Sequence, residues 1–362
     1  MYRKTYLEID LDKVFANAEL FERHTNKKLM AVVKSNAYGG IDYYIASILE
    51  KRGCDFFAVS SMEEAIRLRK HGITSNILIM GYVTAFDELR KNDLSVIVPS
   101  IEYVRKYSGY LKGIKVHIKV NTGLNRLGVF PDEVSETMEL LEKGKANIEG
   151  IMTHMACGSD IDYTNKQYKL FESIVNSLNY KFKYIHSSAT DPAIYLEDKI
   201  SNYVRIGLGL YGYANIDEPD IGMKPALTLM GEVIQCKKVP EGQGISYGHD
   251  YISDGKGYIL TVAVGYADGV SRDIKNHNVF VENEEGKVVG TVCMDLLMVK
   301  TDNYHEAGTV VEIIGEHHNL KDRAKEYGTN RCKIITDITD RVTRIYTLNG
   351  KVINELNPRN DQ

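Results

Sequence analysis

The sequence predicts a (β/α)8 barrel followed by a mostly antiparallel β domain. Two observations carry the prediction. Eight short, continuous apolar runs recur over the first part of the chain, with helical patterns in most of the gaps. From about residue 226, strand-like runs follow one another with only short turns between them.

Taken in order, residues 5–9 alternate, with Thr5, Leu7 and Ile9 set against Tyr6 and Glu8, as in a half-buried strand. Asp10 or Asp12 can then cap a helix that lines up Val14, Ala18 and Phe21. The barrel strands are read at Leu29–Val33, Phe56–Val59, Ile77–Met80, Val96–Val98, Val116–Val120, Ile148–Met152, Tyr184–Ile185 and Tyr203–Ile206. Helices are predicted between them at 62–72, 164–178 and 190–198, among others. A doubly wound open sheet shares this local pattern, and the count of eight favours the barrel. The second domain shows runs at Leu227–Cys236, Tyr258–Val264, Asn278–Val281, Lys287–Val292, Leu297–Lys300 and Val310–Ile314. Turn signals at Asp254–Gly257 and Asn283–Gly286 punctuate it. The expected division is 10–226 for the barrel and 227–362 for the β domain, with the strand at 1–9 packed on the latter. Residues 357–362 read as a polar frayed tail.

Composition narrows the function classes. The chain has 362 residues, 43% apolar and 26% charged, with a formal net charge of −4. No basic field argues for nucleic acid or an anionic membrane. No apolar run approaches a membrane span. Residues 1–5 lead directly into a strand, so no signal peptide is expected. Cys54, Cys157, Cys236, Cys293 and Cys332 are odd in number and lack CxxC spacing. Free thiols and a cytoplasmic setting follow, with no metal site.

Barrel enzymes carry their chemistry at the carboxyl ends of the strands. Those positions read Lys34, Ser60, Lys119 with Asn121, His154, Ser187 with Ser188, and Arg205. Each alone has an ordinary reading as a solvated charge or a core histidine. Their coincidence at matching strand ends points to an anion-binding site. A lysine at a protected strand end can shed its proton and form a Schiff base. Hydroxyls and the close backbone approach allowed by Gly207-Leu208-Gly209 suit a phosphate.

Several segments resemble motifs of the alanine racemase family. Ala31-Val32-Val33-Lys34-Ser35-Asn36-Ala37-Tyr38-Gly39 is similar to its cofactor-attachment motif. Lys119–Gly128 is similar to its lysine-to-arginine segment, and Arg205–Gly212 resembles its pyridine and phosphate segment. Ser246-Tyr247-Gly248, Val264–Gly269, Cys293-Met294-Asp295 and Arg341–Tyr346 match motifs of its second domain. The matches span nearly the whole chain in the family's order.

The resemblance implies a homodimeric enzyme that interconverts L- and D-alanine on pyridoxal 5'-phosphate and supplies D-alanine for peptidoglycan. It implies Lys34 and Tyr247 of the other subunit as two opposed bases. Tyr38, His154, Ser188, Arg205, Gly207, Leu208 and Tyr346 match cofactor-binding positions. Arg126, Tyr266, Met294 and Asp295 match substrate-binding positions, and Lys119 matches a lysine that is often carbamylated. Arg205 would face the pyridine nitrogen, where other enzymes of this cofactor place a carboxylate. The chain departs from the family pattern at Gly40, Asn121, Ile206 and the Ser187-Ser188 pair. The last two resemble serine-racemising relatives, whereas Tyr346 keeps the residue of alanine enzymes. Serine, alone or with alanine, is therefore the alternative substrate. A decarboxylase of the same architecture is disfavoured by Arg205, and a non-catalytic cofactor-binding barrel by the residues after 226.

Overall fold

The computed structural model describes residues 3–216 and 220–359. Residues 1–2 of the N-terminal reading and 360–362 of the expected tail lie outside the described residues. The chain divides into two compact units. One comprises 15–210 and 214–223; the other comprises 1–14, 211–213 and 224–362.

Strand β1 (Tyr6–Asp10) comes first, followed by a helix over Leu11–Thr25. Asp10, not Asp12, caps that helix by accepting the N–H of Lys13 at 3.2 Å. The barrel strands are β2 (Lys28–Val32), β3 (Phe56–Val59), β4 (Asn76–Ile79), β5 (Ser95–Val98), β6 (Lys115–Lys119), β7 (Asn147–Met152), β8 (Tyr184–His186) and β9 (Tyr203–Ile206). All pair in parallel, in the order β8-β7-β6-β5-β4-β3-β2-β9. The N–H groups of Asn202 and Arg205 donate to the carbonyls of Ile185 and Ser188, at 3.0 and 3.1 Å, and join β9 to β8. The sheet is thus a closed eight-stranded barrel. Each predicted run is a strand within a residue or two of its expected ends.

Alternation decides what fills the barrel, because successive side chains point to opposite faces. Met30 and Val32 of β2, Phe56 and Ala58 of β3, Leu78, Ile97, Met152, Tyr184 and Tyr203 form one buried cluster. The Phe56 ring meets Tyr184 and Tyr203 edge-on, with centroids 4.8 and 5.6 Å apart. The same parity carries on to Lys34, His117 and Lys119, His154, His186 and Ser188, and Arg205 and Gly207. The barrel interior is therefore apolar and aromatic at one level, and polar toward the carboxyl ends.

The β unit contains β10 (Leu227–Lys237), the short pair β11 (Gly244–Ile245) and β12 (Tyr251–Ile252), then β13 (Tyr258–Val262), β14 (Asn278–Val281), β15 (Glu284–Val289), β16 (Leu297–Thr301), β17 (Val310–Ile314), β18 (Thr343–Leu348) and β19 (Lys351–Leu356). Its nine-stranded sheet runs β13-β16-β15-β14-β17-β10-β1-β18-β19, and β13 also pairs with β10. All pairings are antiparallel except that of β1 with β18. The expected turn at Asn283–Gly286 is a correction. Val281 already pairs with Glu284, so the turn is only Glu282-Asn283, with Glu282 at φ 52°. Glu284 joins the strand despite its charge. Its carboxylate meets His305 Nε2 at 2.6 Å and accepts the N–H groups of Asp302 and Asn303. No helix among the described residues is long and apolar enough to cross a membrane. The five cysteines are free, and burial pushes the Cys54 thiol up to about 12.

Gly150 in β7 illustrates how tightly the polar level is packed. A Cβ there would fall 2.4 Å from His117 Nδ1. Gly150→Ala should cost about 1–3 kcal/mol by overpacking, read as a lowered denaturation midpoint. An unchanged midpoint would show that His117 is free to move.

Candidate active site

The first site element is the segment after β2. Ser35, Asn36, Ala37 and Tyr38 all have positive φ, at 52°, 56°, 50° and 54°, and Gly39 follows at 85°. This is a left-handed turn built from residues that carry a Cβ. Such a conformation costs roughly 1–2 kcal/mol per residue, so the four together store roughly 4–8 kcal/mol. The turn leaves Lys34 half-buried at the end of β2 and brings the Tyr38 ring over Gly207. A Cβ on Gly207 would lie 2.3 Å from the Tyr38 hydroxyl, so only glycine allows this approach.

Arg205 occupies the centre of the polar level and is 1% exposed. Its Nη1 donates to His186 Nδ1 and to the His186 carbonyl, both at 2.8 Å. Its Nη2 donates to the carbonyls of Thr153 (2.9 Å) and Ser187 (2.8 Å) and faces His154 Nδ1 at 3.2 Å. A guanidinium only donates, so both imidazoles must present a lone pair at Nδ1 and carry their proton at Nε2. His186 Nε2–H then donates to His117 Nδ1 at 2.9 Å. His117 and His186 were not singled out from the sequence. Their signal was the inward parity with Lys119 and Ser188.

The electrostatics agree with neutral histidines. Burial, then Arg205 and Lys183, pulls His117 down to about 3. Burial, then Arg205 and His117, holds His186 well below its ordinary value. His154 is also held well below its ordinary value, first by burial and then by Arg205, Lys119, Arg126 and Lys34. Burial lowers Arg205 to about 9, opposed by Asp198. Asp198 does not touch the guanidinium. It accepts the Ser187 hydroxyl at 2.6 Å and the N–H groups of Ile200 and Ser201. The Ser187 oxygen also meets the buried Ser188 hydroxyl at 3.2 Å, so the two serines and Asp198 form one hydrogen-bonded chain.

Lys119 is 5% exposed. Burial, followed by the charges of Arg126, Arg205 and Lys34, lowers its ammonium to about 8. Arg126 stands exposed on the loop after β6. Asn121 shapes that loop by accepting the N–H groups of Gly123 and Asn125 and donating to the Asn125 side chain. Lys34, Lys119, Arg126 and Arg205 thus act on one small volume, and the charges that shift Lys119 most, those of Arg126, Arg205 and Lys34, are cations. Ser60, expected at the mouth, contributes its N–H to Glu64 at 2.7 Å.

In the β unit, three segments converge. The N–H groups of Tyr266 and Ala267 donate to the carbonyls of Cys293 and Met294, at 3.1 and 3.0 Å. The Ser246 hydroxyl donates to the Thr291 carbonyl at 2.6 Å. The result is a cluster of outward-facing side chains: Tyr247 (74% exposed), Met294 (52%) and Tyr266 (42%). Asp295 is held by Arg341 Nη2 at 2.6 Å. The second partner of Arg341 is the fully buried Asp268, which Arg3 also grips in a bidentate pair. Leu208 opens the short turn after β9. Tyr346 is fully buried on β18.

The depressed Lys119 has a pH consequence. Its folded pKa lies below that of an unfolded lysine, so the unfolded chain binds more protons between about pH 8 and pH 10.5. Stability therefore rises with pH through this window and is penalised below it. In cofactor-free chain and carbon dioxide-free buffer, Lys119→Met should stabilise by about 1–3 kcal/mol at pH 7 and by little at pH 11. Equal effects at both pH values in denaturation curves would contradict the buried-ammonium assignment.

The chain matches two family descriptions, "Alanine racemase, N-terminal domain" over residues 9–215 and "Alanine racemase, C-terminal domain" over 226–346. It is 33% identical to the alanine racemase of Staphylococcus saprophyticus, over 95% of each chain. It is 32% identical to alanine racemase 1 of Bacillus subtilis, over 99% of this chain and 96% of that one. The solved alanine racemase of Bacillus anthracis with bound L-Ala-P superposes with a TM-score of 0.92 at 32% identity, covering 100% of both chains. The solved alanine racemase from E. faecalis gives 0.91 at 31% identity, over 96% of this chain and 99% of that one. This chain belongs to the alanine racemase family.

Proposed function

We propose that the chain racemises alanine on pyridoxal 5'-phosphate, with Lys34 and the Tyr247 of a second copy as opposed proton carriers. The observation that supports this most is the gathering of Lys34, Lys119, Arg126 and Arg205 around His154 at the carboxyl ends of the strands. Such a field draws anions into it. A cofactor phosphate and a substrate carboxylate are anions of the required kind.

The residues fit the cofactor. Lys34 Nζ is the amine for covalent attachment. The buried Ser188 hydroxyl, the Tyr38 hydroxyl and the backbone at Gly207 and Leu208 suit its phosphate, and Tyr346 is assigned there with them by resemblance. Arg205 is the partner for its pyridine nitrogen. When bound, the cofactor withdraws electrons from the substrate and acidifies the bond to its α-hydrogen.

The chain's own residues supply the rest. Arg126 holds the substrate carboxylate. Lys34 moves the proton on one face. The other face needs a second base, and Tyr247 is the most exposed tyrosine of its cluster. An apolar cluster of this kind marks an interaction surface, which supports a homodimer with shared sites. Tyr266, Met294 and Asp295 then line the substrate side. A tyrosine works near neutral pH only if its phenolate is stabilised. His154 has given its Nδ1 lone pair to Arg205, so its Nε2–H is free to do this. A carbamylated Lys119 would become an anion and pair with Arg126. Its lowered ammonium leaves a fraction of free amine to take up carbon dioxide. The product D-alanine would serve wall synthesis in the cytoplasm.

Cofactor-loaded protein should drive L-alanine and D-alanine separately to zero optical rotation. No change with either alanine or serine would contradict the reading; turnover of serine alone would correct the substrate. Lys34→Ala should abolish the cofactor's bound absorbance together with turnover. Tyr247→Phe should retain cofactor and lose about 10²–10⁴-fold in kcat/KM, equally in both directions because the equilibrium constant is one, while exchange of the α-hydrogen with solvent should survive for one enantiomer only. Mixing these two inactive variants should restore activity, because half of the sites in each mixed dimer are intact. Failure to restore it would argue that each copy's site is self-contained.

A further inference from the structure

We infer that Glu64 and Arg67, on the helix Met62–Lys70, are positioning residues that hold the left-handed turn after Lys34 in its strained shape. The inference rests on the reading of Lys34 as the cofactor-bearing amine.

The strain needs something to hold it, since a turn of this kind relaxes unless its surroundings over-determine it. The turn's own backbone bonds include Ala37 N–H to the Val33 carbonyl at 2.9 Å, Gly39 N–H to Ser35 at 3.3 Å and Gly40 N–H to Ala37 at 3.1 Å. Further restraint comes from a neighbouring helix. Ser61 caps it in a reciprocal capping box with Glu64. Glu64 Oε2 accepts the N–H groups of Ser60 and Ser61, at 2.7 and 3.3 Å. Its other oxygen is spare for capping and instead accepts the N–H of Ser35 at 2.7 Å. That amide is the peptide bond that follows Lys34 directly.

Arg67 lies one turn further along, on the same helix face. Its Nη2 donates to Asn36 Oδ1 at 3.2 Å, inside the turn. The same Asn36 oxygen accepts the N–H of Asp42 at 3.2 Å. Arg67 Nε and Nη2 also grip the Asp42 carboxylate at 3.0 and 2.5 Å. Asp42 is fully buried and bonds the Tyr43 N–H at 2.7 Å. The start and the far side of the turn are therefore pinned by charge-assisted bonds, which are the strong ones. A carboxylate and a guanidinium at i and i+3 grip the backbone on either side of the strained residues.

Arg69 on the same helix provides a control. It bonds carbonyls elsewhere, at Asn92, Asp93, Ile73 and Ser75. The test compares Arg67→Met, Glu64→Gln and Arg69→Met in the full chain, using hydrogen–deuterium exchange and titration with pyridoxal 5'-phosphate. Arg67→Met and Glu64→Gln should speed amide exchange at residues 35–40. They should weaken cofactor affinity by about tenfold to a hundredfold. Arg67→Lys should recover part of that affinity. Arg69→Met should lower the thermal midpoint but alter neither readout. Should Arg67→Met not fold, the near-isosteric Glu64→Gln carries the comparison. Exchange at 35–40 and affinity no different from Arg69→Met would overturn the proposal. The exchange arm needs no cofactor. If the wild-type chain took up none, that would count against Lys34 as cofactor amine, and the grip on the turn would still be decided.

Discussion

The structure of the barrel mouth depends on one buried guanidinium. Arg205 spends its donors on two imidazoles and three carbonyls. Those acceptors sit at the ends of β7 and β8, so a single side chain ties three neighbouring strands at their carboxyl ends. It also fixes proton positions. Because it cannot accept, His154 and His186 are set as Nε2–H tautomers, and His117 follows. A buried cation without a carboxylate in contact is costly, and the charge of nearby Asp198 relieves part of that cost. The neutral acceptors leave the positive charge available to whatever lies over it. A carboxylate in place of Arg205 would stabilise a protonated pyridine nitrogen and make a stronger electron sink. A guanidinium disfavours that proton, which suits a reaction that removes and returns one hydrogen without further chemistry.

The β unit solves a different problem, that of presenting side chains outward while holding their backbone still. Gly265 admits no side chain, because a Cβ there would fall 2.4 Å from the carbonyl oxygens of Cys293 and Met294. This closeness fastens the Tyr266 loop to the Met294 loop. Asp268 then anchors the loop from below, with Arg3 and Arg341 on either side. Arg341 passes the restraint on to Asp295. The backbone beneath Tyr266, Met294 and Asp295 is thus held by several bonds. Backbone rigidity under an exposed apolar cluster is what an interface needs if it is to position a base.

The barrel was legible because buried parallel strands read as unbroken apolar runs, and these eight do. The mouth was legible in part. Lys34, Lys119, His154, Ser188 and Arg205 stood out as polar residues just beyond those runs. His117 did not, because it lies inside a run and looks like core, and His186, the first residue past Tyr184–Ile185, was passed over for the Ser187-Ser188 pair beside it. Alternation would have found them, since they share the inward face with Lys119 and Ser188. The left-handed turn was invisible: nothing in Ser35-Asn36-Ala37-Tyr38 demands positive φ, and the cause sits some thirty residues on, in Glu64 and Arg67. The β hairpin at Glu282-Asn283 was misplaced because Glu284 looks like a turn residue until His305 is seen beside it. Strands β18 and β19 were not read as strands at all. They complete a sheet through β1, and such long-range pairing leaves little local trace.

The central claim is that a permanently charged Arg205 faces the cofactor's pyridine nitrogen and keeps it free of a proton. The direct measurement is the ¹⁵N chemical shift of isotopically labelled pyridoxal 5'-phosphate bound to this chain at neutral pH. The account predicts the shift of an unprotonated pyridine nitrogen, moving toward the protonated value when Arg205 is replaced by Glu. A protonated nitrogen in the wild-type chain would contradict it.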